Sequence, residues 1–419
     1  MSEYERQHYV PNGILKNFGI KKPNGNYEVC LIDLFNSKVE YRNTQRAMYA
    51  RNIYDITDED VKALEKKFST KIEEPMFKIV DRLLKNVNII LLTREELMII
   101  KKYMLIQIFR SLRNMTGYIA PPEGVKELSS YNIQEGESKL DFWKREMTTI
   151  IDSDWDSLVN STDLVSVKSF AQTIHTGFLI FFKTEEEFII NDSGIVSERF
   201  FIEIPEEEHD AFIKYMNEIV EERFGTDGFG RIVKDPLQKG KMHIDSGLWM
   251  PLSSNLAVVN VHLLLKIYLT DSQIIDELPI PLACSKLFGF LSHPENIYVN
   301  QKAIDADLEK MINKYSGEIG KLPARKATFF KNSLLRATII KNKSDDDQYL
   351  YEVQELGPYH TMEWNLSVMN ETHQYLCFKT PAKVIPVIQE YNQQKADGEE
   401  NMKKDYTGYD NLLKNLKRS

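Results

Sequence analysis

The stretch "TREELMIIKKYMLIQIFRSL", Thr93 to Leu112, constrains the fold more than any other part of the chain. Thr93 is an N-cap residue, and Glu96 three positions later completes a capping box. Leu97, Ile100, Met104, Leu105, Ile108, Phe109 and Leu112 recur at helical spacing and form a wide apolar face. The pattern predicts a long helix that runs from Thr93 to near Gly117 and is committed to the core. Three polar residues interrupt it. Gln107, Arg110 and Asn114 fall on one stripe, and Arg113 lies one turn beyond Arg110. A guanidinium beside so apolar a face is either paired with a buried acid or aimed at an anion in a cleft.

A chain of 419 residues is long enough for two or three folding units around this helix. Upstream, "GNYEVCLIDLFNSKVEYRNT" alternates apolar and polar residues around an Asn36-Ser37 turn and predicts a β-hairpin. "YDITDEDVKALEKKF" reads as a helix capped by Thr57 with Asp60, with Val61, Leu64 and Phe68 on one face. "EEPMFKIVDRLLKN" reads as another, with Pro75 in its first turn and Met76, Ile79, Val80 and Leu83 inward.

Downstream, "KLDFWKREMTTIIDSDWDSLVNS" is expected to be helical. "VKSFAQTIHTGFLIFFKTEEEFIINDSG" passes from a helix into strands that end at an Asp192-Ser193-Gly194 turn. "PEEEHDAFIKYMNEIVEERFG" is an acidic amphipathic helix, with His209-Asp210 on its solvated face. "GLWMPLSSNLAVVNVHLLLKIYL" supplies at least one strand. A helix starts at Asn300 with Ile304, Leu308, Met311 and Ile312 inward. From Ala324 the texture turns to short β-type runs, then a strand in "HQYLCFKTP", a short helix after Pro381 and a polar tail.

The expected class is α+β: a helix-rich N-terminal half with a small β-hairpin, a central mixed sheet and a small β-rich C-terminal module. In residues, that is a core domain over 1–320, helical over about 45–175 and mixed over 176–320. A small α+β module over 326–395 and a polar tail over 396–419 follow.

Several chemistries are disfavoured by spacing. Cys30, Cys284 and Cys377 lie far apart with no CxxC pair, which fits small buried thiols in a reducing compartment. The histidines form no H-x-H or H-E-x-x-H pattern, and no G-x-S-x-G elbow is present. "GTDGFGR" lacks the lysine of a phosphate-binding loop and suits a helix end followed by a turn. A divalent metal held by carboxylates that folding brings together stays open at this point. The net charge of -9 opposes a chain wholly devoted to non-specific nucleic-acid binding, though not a local basic surface. "MSEYERQHYV" has no apolar segment of the signal-peptide kind, and no run reaches the roughly 18 apolar residues of a membrane span. The expected location is the cytoplasm, with no membrane partner.

Three places carry chemistry. His8, in "QHYVP", is a histidine fixed just before a proline, where an imidazole can move a proton or, charged, contact a phosphate. Pro11 is expected to open a short helix that Leu15 and Phe18 pin to the core. Arg110 on the long helix is the second. Asp192, in the polar turn after an apolar strand, is the third; an Asx-turn would produce the same sequence without function.

Taken together these places resemble a mostly prokaryotic family numbered 4238 among domains of unknown function. Its motifs correspond here to Gln7-His8-Tyr9-Val10-Pro11 with Leu15 and Phe18, Asn52 and Tyr54, a helix near Glu73, and Gln107 with Arg110. Then come the turn at Asn191-Asp192-Ser193-Gly194, Pro251-Leu252-Ser253, and Asn300 opening a helix. The turn keeps the family's aspartate and lacks its proline. The resemblance runs from Gln7 to Ser316.

The resemblance names no activity; the residue types themselves suggest a polar site with His8, Arg110 and Asp192 as catalytic residues and Gln107, Arg113, Ser193 and Tyr54 contacting the ligand. The expected substrate is a nucleotide or nucleic-acid phosphate, the expected reaction hydrolysis of a phosphoester, and the expected setting defence against phage. The alternative is a non-enzymatic protein in which the same residues form a structural network or an anionic-ligand pocket.

Overall fold

A computed structural model describes residues 6–51, 64–111, 137–160, 165–203, 241–261 and 294–396, with 413, 414 and 416 near the C-terminus. The fold is α+β. Several expectations fall outside the described residues: the Thr57 cap, Asn52 and Tyr54, Leu112 to Gly117 with Arg113, the helix over 205–225 with His209-Asp210, the "GTDGFGR" glycines, Cys284 and the tail.

The capped helix is the centre of the molecule. Strand β6 (Ile89–Thr93) runs straight into helix α3 (Arg94–Arg110). The Glu96 amide donates to Thr93 Oγ1 at 3.2 Å and the Thr93 amide to Glu96 Oε2 at 3.0 Å, which satisfies two N–H groups at the helix start. From Tyr103 to Arg110 every residue is buried, polar ones included. This second half of the helix has no solvent face, whereas Glu95 in the first turn is exposed. It ends at Arg110 and not near Gly117, because Ser111 takes an extended conformation with φ -56° and ψ 145°.

Before it, β1 (Arg6–His8) pairs antiparallel with β5 (Tyr49–Arg51), bringing His8 opposite Tyr49. Helix α1 (Asn12–Leu15) follows Pro11, and Leu15 and Phe18 are fully buried. The expected hairpin is β3 (Tyr27–Asp33) with β4 (Lys38–Asn43). Its turn is closed by the Asp33 carboxylate, which accepts the amides of Phe35 and Asn36. Helix α2 (Glu74–Leu83) buries the four predicted residues Met76, Ile79, Val80 and Leu83. It is entered through a π-helical turn, Phe68–Glu73. The single helix read over 139–160 is two, α4 (Lys139–Asp152) and α5 (Trp155–Asn160), broken where Ser153 becomes extended.

Helix α6 (Val165–Thr176) leads into the central sheet, ordered β14-β7-β11-β10-β9. Its members are β7 (Phe178–Thr184), β9 (Val196–Glu203), β10 (Lys241–Pro251), β11 (Leu256–Val261) and β14 (Gln354–Leu356). All pairs are antiparallel except β14 on β7. Alternation along the strands divides two cores. Leu179, Phe181, Val258 and Met250 join the cluster that holds α3; Ile180, Phe182, Val259 and Trp249 join the other. The Pro251-Leu252-Ser253 segment is the β10–β11 turn, in which Ser253 Oγ accepts the amides of Asn255 and Leu256 at 3.1 and 3.0 Å.

The stretch from Ala324 corrects the sequence expectation. It contains the 18-residue helix α9 (Ala324–Lys341), packed on α7 (Gln301–Lys314); the short α8 (Ser316–Ile319) lies between them. Leu334 and Thr338, four apart, are its buried stripe, and that period overrides the β-branched pairs that suggested strands. In α7 only Ile304 is buried, while Leu308, Met311 and Ile312 are half-buried.

The C-terminal residues do not form a separate module either. β13 (Gln348–Glu352) pairs with β6 and with β12 (Glu295–Ile297). Helix α10 (Pro358–Glu371) covers the second core, and β15 (Tyr375–Phe378) inserts between β3 and β8 (Ile190–Asn191). Helix α11 (Pro381–Ala396) completes that core. Strands from both ends of the chain therefore complete one another's sheets, and no boundary falls near 326.

Candidate functional site

The last turn of α3 faces two polar clusters. The first surrounds Arg110. Its guanidinium is 2% exposed and lies over the Phe68 ring, 4.7 Å from the centroid. Nη1 donates to Glu73 Oε1, and Nη2 lies 3.9 Å from Glu65 Oε1. Glu65, Phe68 and Glu73 come from the helix that begins by Leu64 and from its π-helical turn. That widened turn brings an aromatic face and a carboxylate to the same guanidinium; π-turns are frequent at functional sites.

His8 belongs to this cluster. Burial pushes its pKa below the ordinary 6.5, and the Arg110 charge adds to the shift, while Glu73 and the main chain at Thr44 and Gln45 oppose it. The imidazole is therefore neutral at pH 7. Its Nε2 is buried and has no hydrogen-bond partner among the described residues. Tyr103, seven residues before Arg110 on the same helix face, completes the group. Burial raises its hydroxyl pKa, the Glu73 charge raises it further and Arg110 opposes, so it stays protonated.

The second cluster is made of main-chain bonds. Gln107 Nε2 donates to the carbonyls of Tyr9 at 2.7 Å and Ser193 at 2.9 Å. Asp192 is fully buried, and its carboxylate accepts the amides of His373 (3.1 Å), Gln374 (2.5 Å) and Tyr375 (2.9 Å). Burial raises its pKa and the three amides oppose that rise. The Asx-turn is made by Asn191, whose Oδ1 accepts the amides of Ser193 and Gly194. Asp192 thus clamps the turn between α10 and β15, and Gln107 ties the opening segment to the Ser193 turn.

Of the seven expected site residues, His8 and Arg110 meet. Gln107, Asp192 and Ser193 form the main-chain network beside them, and Arg113 and Tyr54 lie outside the described residues. The expected anion-binding role of Arg110 meets two carboxylates already at its guanidinium. Glu65, Phe68 and Tyr103 were not anticipated, and Glu73 was noted only as a family position. Tyr103 was legible, since Tyr103, Gln107 and Arg110 are spaced i, i+4, i+7. Among the described residues no group of three or more His, Cys, Asp or Glu side chains is arranged to hold a metal, and no helix is long and apolar enough to cross a membrane.

An α+β chain with its opening histidine set against a buried Arg–Glu pair agrees with the motif order noted above. The chain belongs to the family described as "Protein of unknown function (DUF4238)", whose model matches residues 6–381. The match passes Ser316 and takes in β13, β14, α10 and β15, as strand pairing between the two ends of the chain requires. No curated protein and no solved structure matches it.

Proposed function

We propose that the protein is an enzyme acting on a nucleotide or nucleic-acid phosphate, with His8 as its proton-transfer group. One observation carries this: a neutral imidazole whose Nε2 is buried, unpartnered and beside a buried Arg110–Glu73 pair. An unsatisfied buried polar atom costs about 1–3 kcal/mol, and such costs persist chiefly where function requires them. A neutral imidazole accepts a proton from a water or hydroxyl nucleophile, and Glu73 then favours the imidazolium that results. Arg110, oriented by Glu73, is the cation that offsets charge developing on a phosphoryl oxygen. Helix α9 adds exposed basic residues suited to a polymeric substrate, Lys331 and Arg336, and its own sequence contains no acid.

The setting we assign, on the family resemblance, is the cytoplasm of a prokaryotic cell in defence against phage. The test is turnover of an RNA, DNA and nucleotide panel, with phage plating as the cellular readout. His8→Ala and Arg110→Ala should each abolish both while circular dichroism stays native. Full activity in both variants would overturn the proposal.

A second reading is favoured by the other cluster. Gln107 and Asp192 spend their polar groups on main-chain bonds, which suits a non-enzymatic protein whose network locks the N-terminal segment onto the core, or one that binds an anionic ligand without turning it over. Mass spectrometry of small molecules carried by the purified protein separates the two: a retained ligand with no turnover supports the second.

A further inference from the structure

Beside the His8 cluster lies another buried polar atom with no hydrogen-bond partner among the described residues, Oδ1 of Asn12. Asn12 opens α1, four residues after His8. The same neighbours hold both residues. On one side, the main chain at Thr44 and Gln45 bonds the His8 imidazole, and α1 packs on the turn Thr44–Arg46. On the other side, the Glu73 charge acts on His8. Phe77 of α2, four residues after Glu73, comes so close to α1 that a Cβ on Gly13 would run into its ring. The segment from His8 to Gly13 is therefore held between the Thr44–Arg46 turn and the Glu73–Phe77 face.

We propose that Asn12 Oδ1 and His8 Nε2 hold one water between them and that this water is the nucleophile, a proposal that rests on His8 as the proton-transfer group. Each atom is costly to leave unpaired in a buried place. Water carries two O–H hydrogens, one for each of them, and two polar partners suffice to fix it. A substrate hydroxyl carries one hydrogen and can satisfy only one of the two atoms. In the reaction the hydrogen facing Nε2 passes to the imidazole as a proton. The water oxygen forms the new bond to phosphorus, and the bond from phosphorus to the leaving oxygen breaks with its electron pair. Asn12 keeps the second hydrogen throughout and so sets the direction of the attacking lone pair. The reaction class is then hydrolysis and not transfer to a hydroxyl of the substrate.

Three measurements test it, using whichever substrate of the RNA, DNA and nucleotide panel turns over. A single turnover in water labelled with heavy oxygen should place the label on the phosphate of the product. Asn12→Ala should lower kcat by about 100-fold with KM little changed and Tm unchanged or raised, because Oδ1 gives up no bond in the folded chain. Asn12→Asp keeps an acceptor and adds a negative charge, so the His8 titration followed by imidazole NMR should move to higher pH. An unlabelled product, full kcat in Asn12→Ala, a Tm that falls with kcat in that variant, or a His8 titration unmoved by Asn12→Asp would each overturn the shared water while His8→Ala still abolishes turnover. If His8→Ala keeps full turnover, or no substrate is turned over, the reading of His8 falls and the water falls with it.

Discussion

Gln107 bridges Tyr9 and Ser193: one side-chain amide, 2% exposed, donates to main-chain carbonyls 98 residues before or 86 residues after it in the chain. Replacement by leucine keeps the bulk and leaves both carbonyls buried without this donor. Gln107→Leu should therefore lower stability by about 1–3 kcal/mol, measured by chemical denaturation. Loss of the first β-strand's protection in hydrogen exchange ahead of the global transition would mark the bridge as what holds the N-terminal segment down. Unchanged stability would show that the bonds contribute nothing net.

Gly194 permits that bridge. Its φ is +66°, and a Cβ there would stand 2.8 Å from Gln107 Nε2. Gly194→Ala combines left-handed strain of about 1–2 kcal/mol with displacement of an amide that is bonded twice. In a Gln107→Ala background only the strain remains, so the cost of Gly194→Ala should be visibly smaller there than in the native chain. Equal costs in both backgrounds would mean that the two residues are not coupled.

Among the described residues, Glu73 is the nearer of the two carboxylates at the Arg110 guanidinium. Removing it leaves a guanidinium 2% exposed with the Glu65 carboxylate at 3.9 Å. Glu73→Leu should cost about 2–4 kcal/mol in a denaturation series, as breaking a buried pair from one side does. Glu73→Leu with Arg110→Met removes both charges and should recover most of the loss. If the double variant is no more stable than the single one, the pair is not the unit that matters.

Regular periodicity made much of this fold legible. The Thr93 capping box, the buried stripe of α2 and the hairpin over 27–43 all follow from local pattern. Failures arose where local signals merged or where partners are distant. β6 went unread because Ile89–Thr93 runs directly into the capped start of α3 with no turn between them. Helix α9 passed for strands because its β-branched pairs are local while its burial against α7 is tertiary. At the site, His8 and Arg110 stood out as polar residues in apolar settings. Nothing local reveals that Asp192 is spent on the amides of His373 to Tyr375, about 180 residues away.

Helix α9 carries a prediction about polyanions. Lys331 and Arg336 are exposed, and no acid lies between Ala324 and Lys341. If single-stranded nucleic acid tracks this surface, Lys331→Gln with Arg336→Gln should weaken binding at every sequence tested. The slope of log affinity against log salt should fall by about 0.7 for each lost phosphate contact. Fluorescence anisotropy over a salt series measures it. A slope that does not change would remove α9 from the binding surface.

His8 sets an acid limit. Its folded pKa lies below the unfolded 6.5 because burial, with Arg110, disfavours the imidazolium. The unfolded chain therefore binds the proton more tightly. The His8 contribution to stability is present above pH 6.5 and is lost as pH falls through the folded pKa. His175, likewise lowered chiefly by burial and then by Lys101, acts in the same direction. Tm should thus fall as pH drops from 7 towards 5. His8→Gln, which does not titrate, should show a shallower fall, and His8→Gln with His175→Gln a shallower one still. If His8→Gln follows the native pH profile, the imidazole is already solvated and titrates as it does in the unfolded chain, which would also remove the neutral Nε2 on which the proposed proton transfer rests.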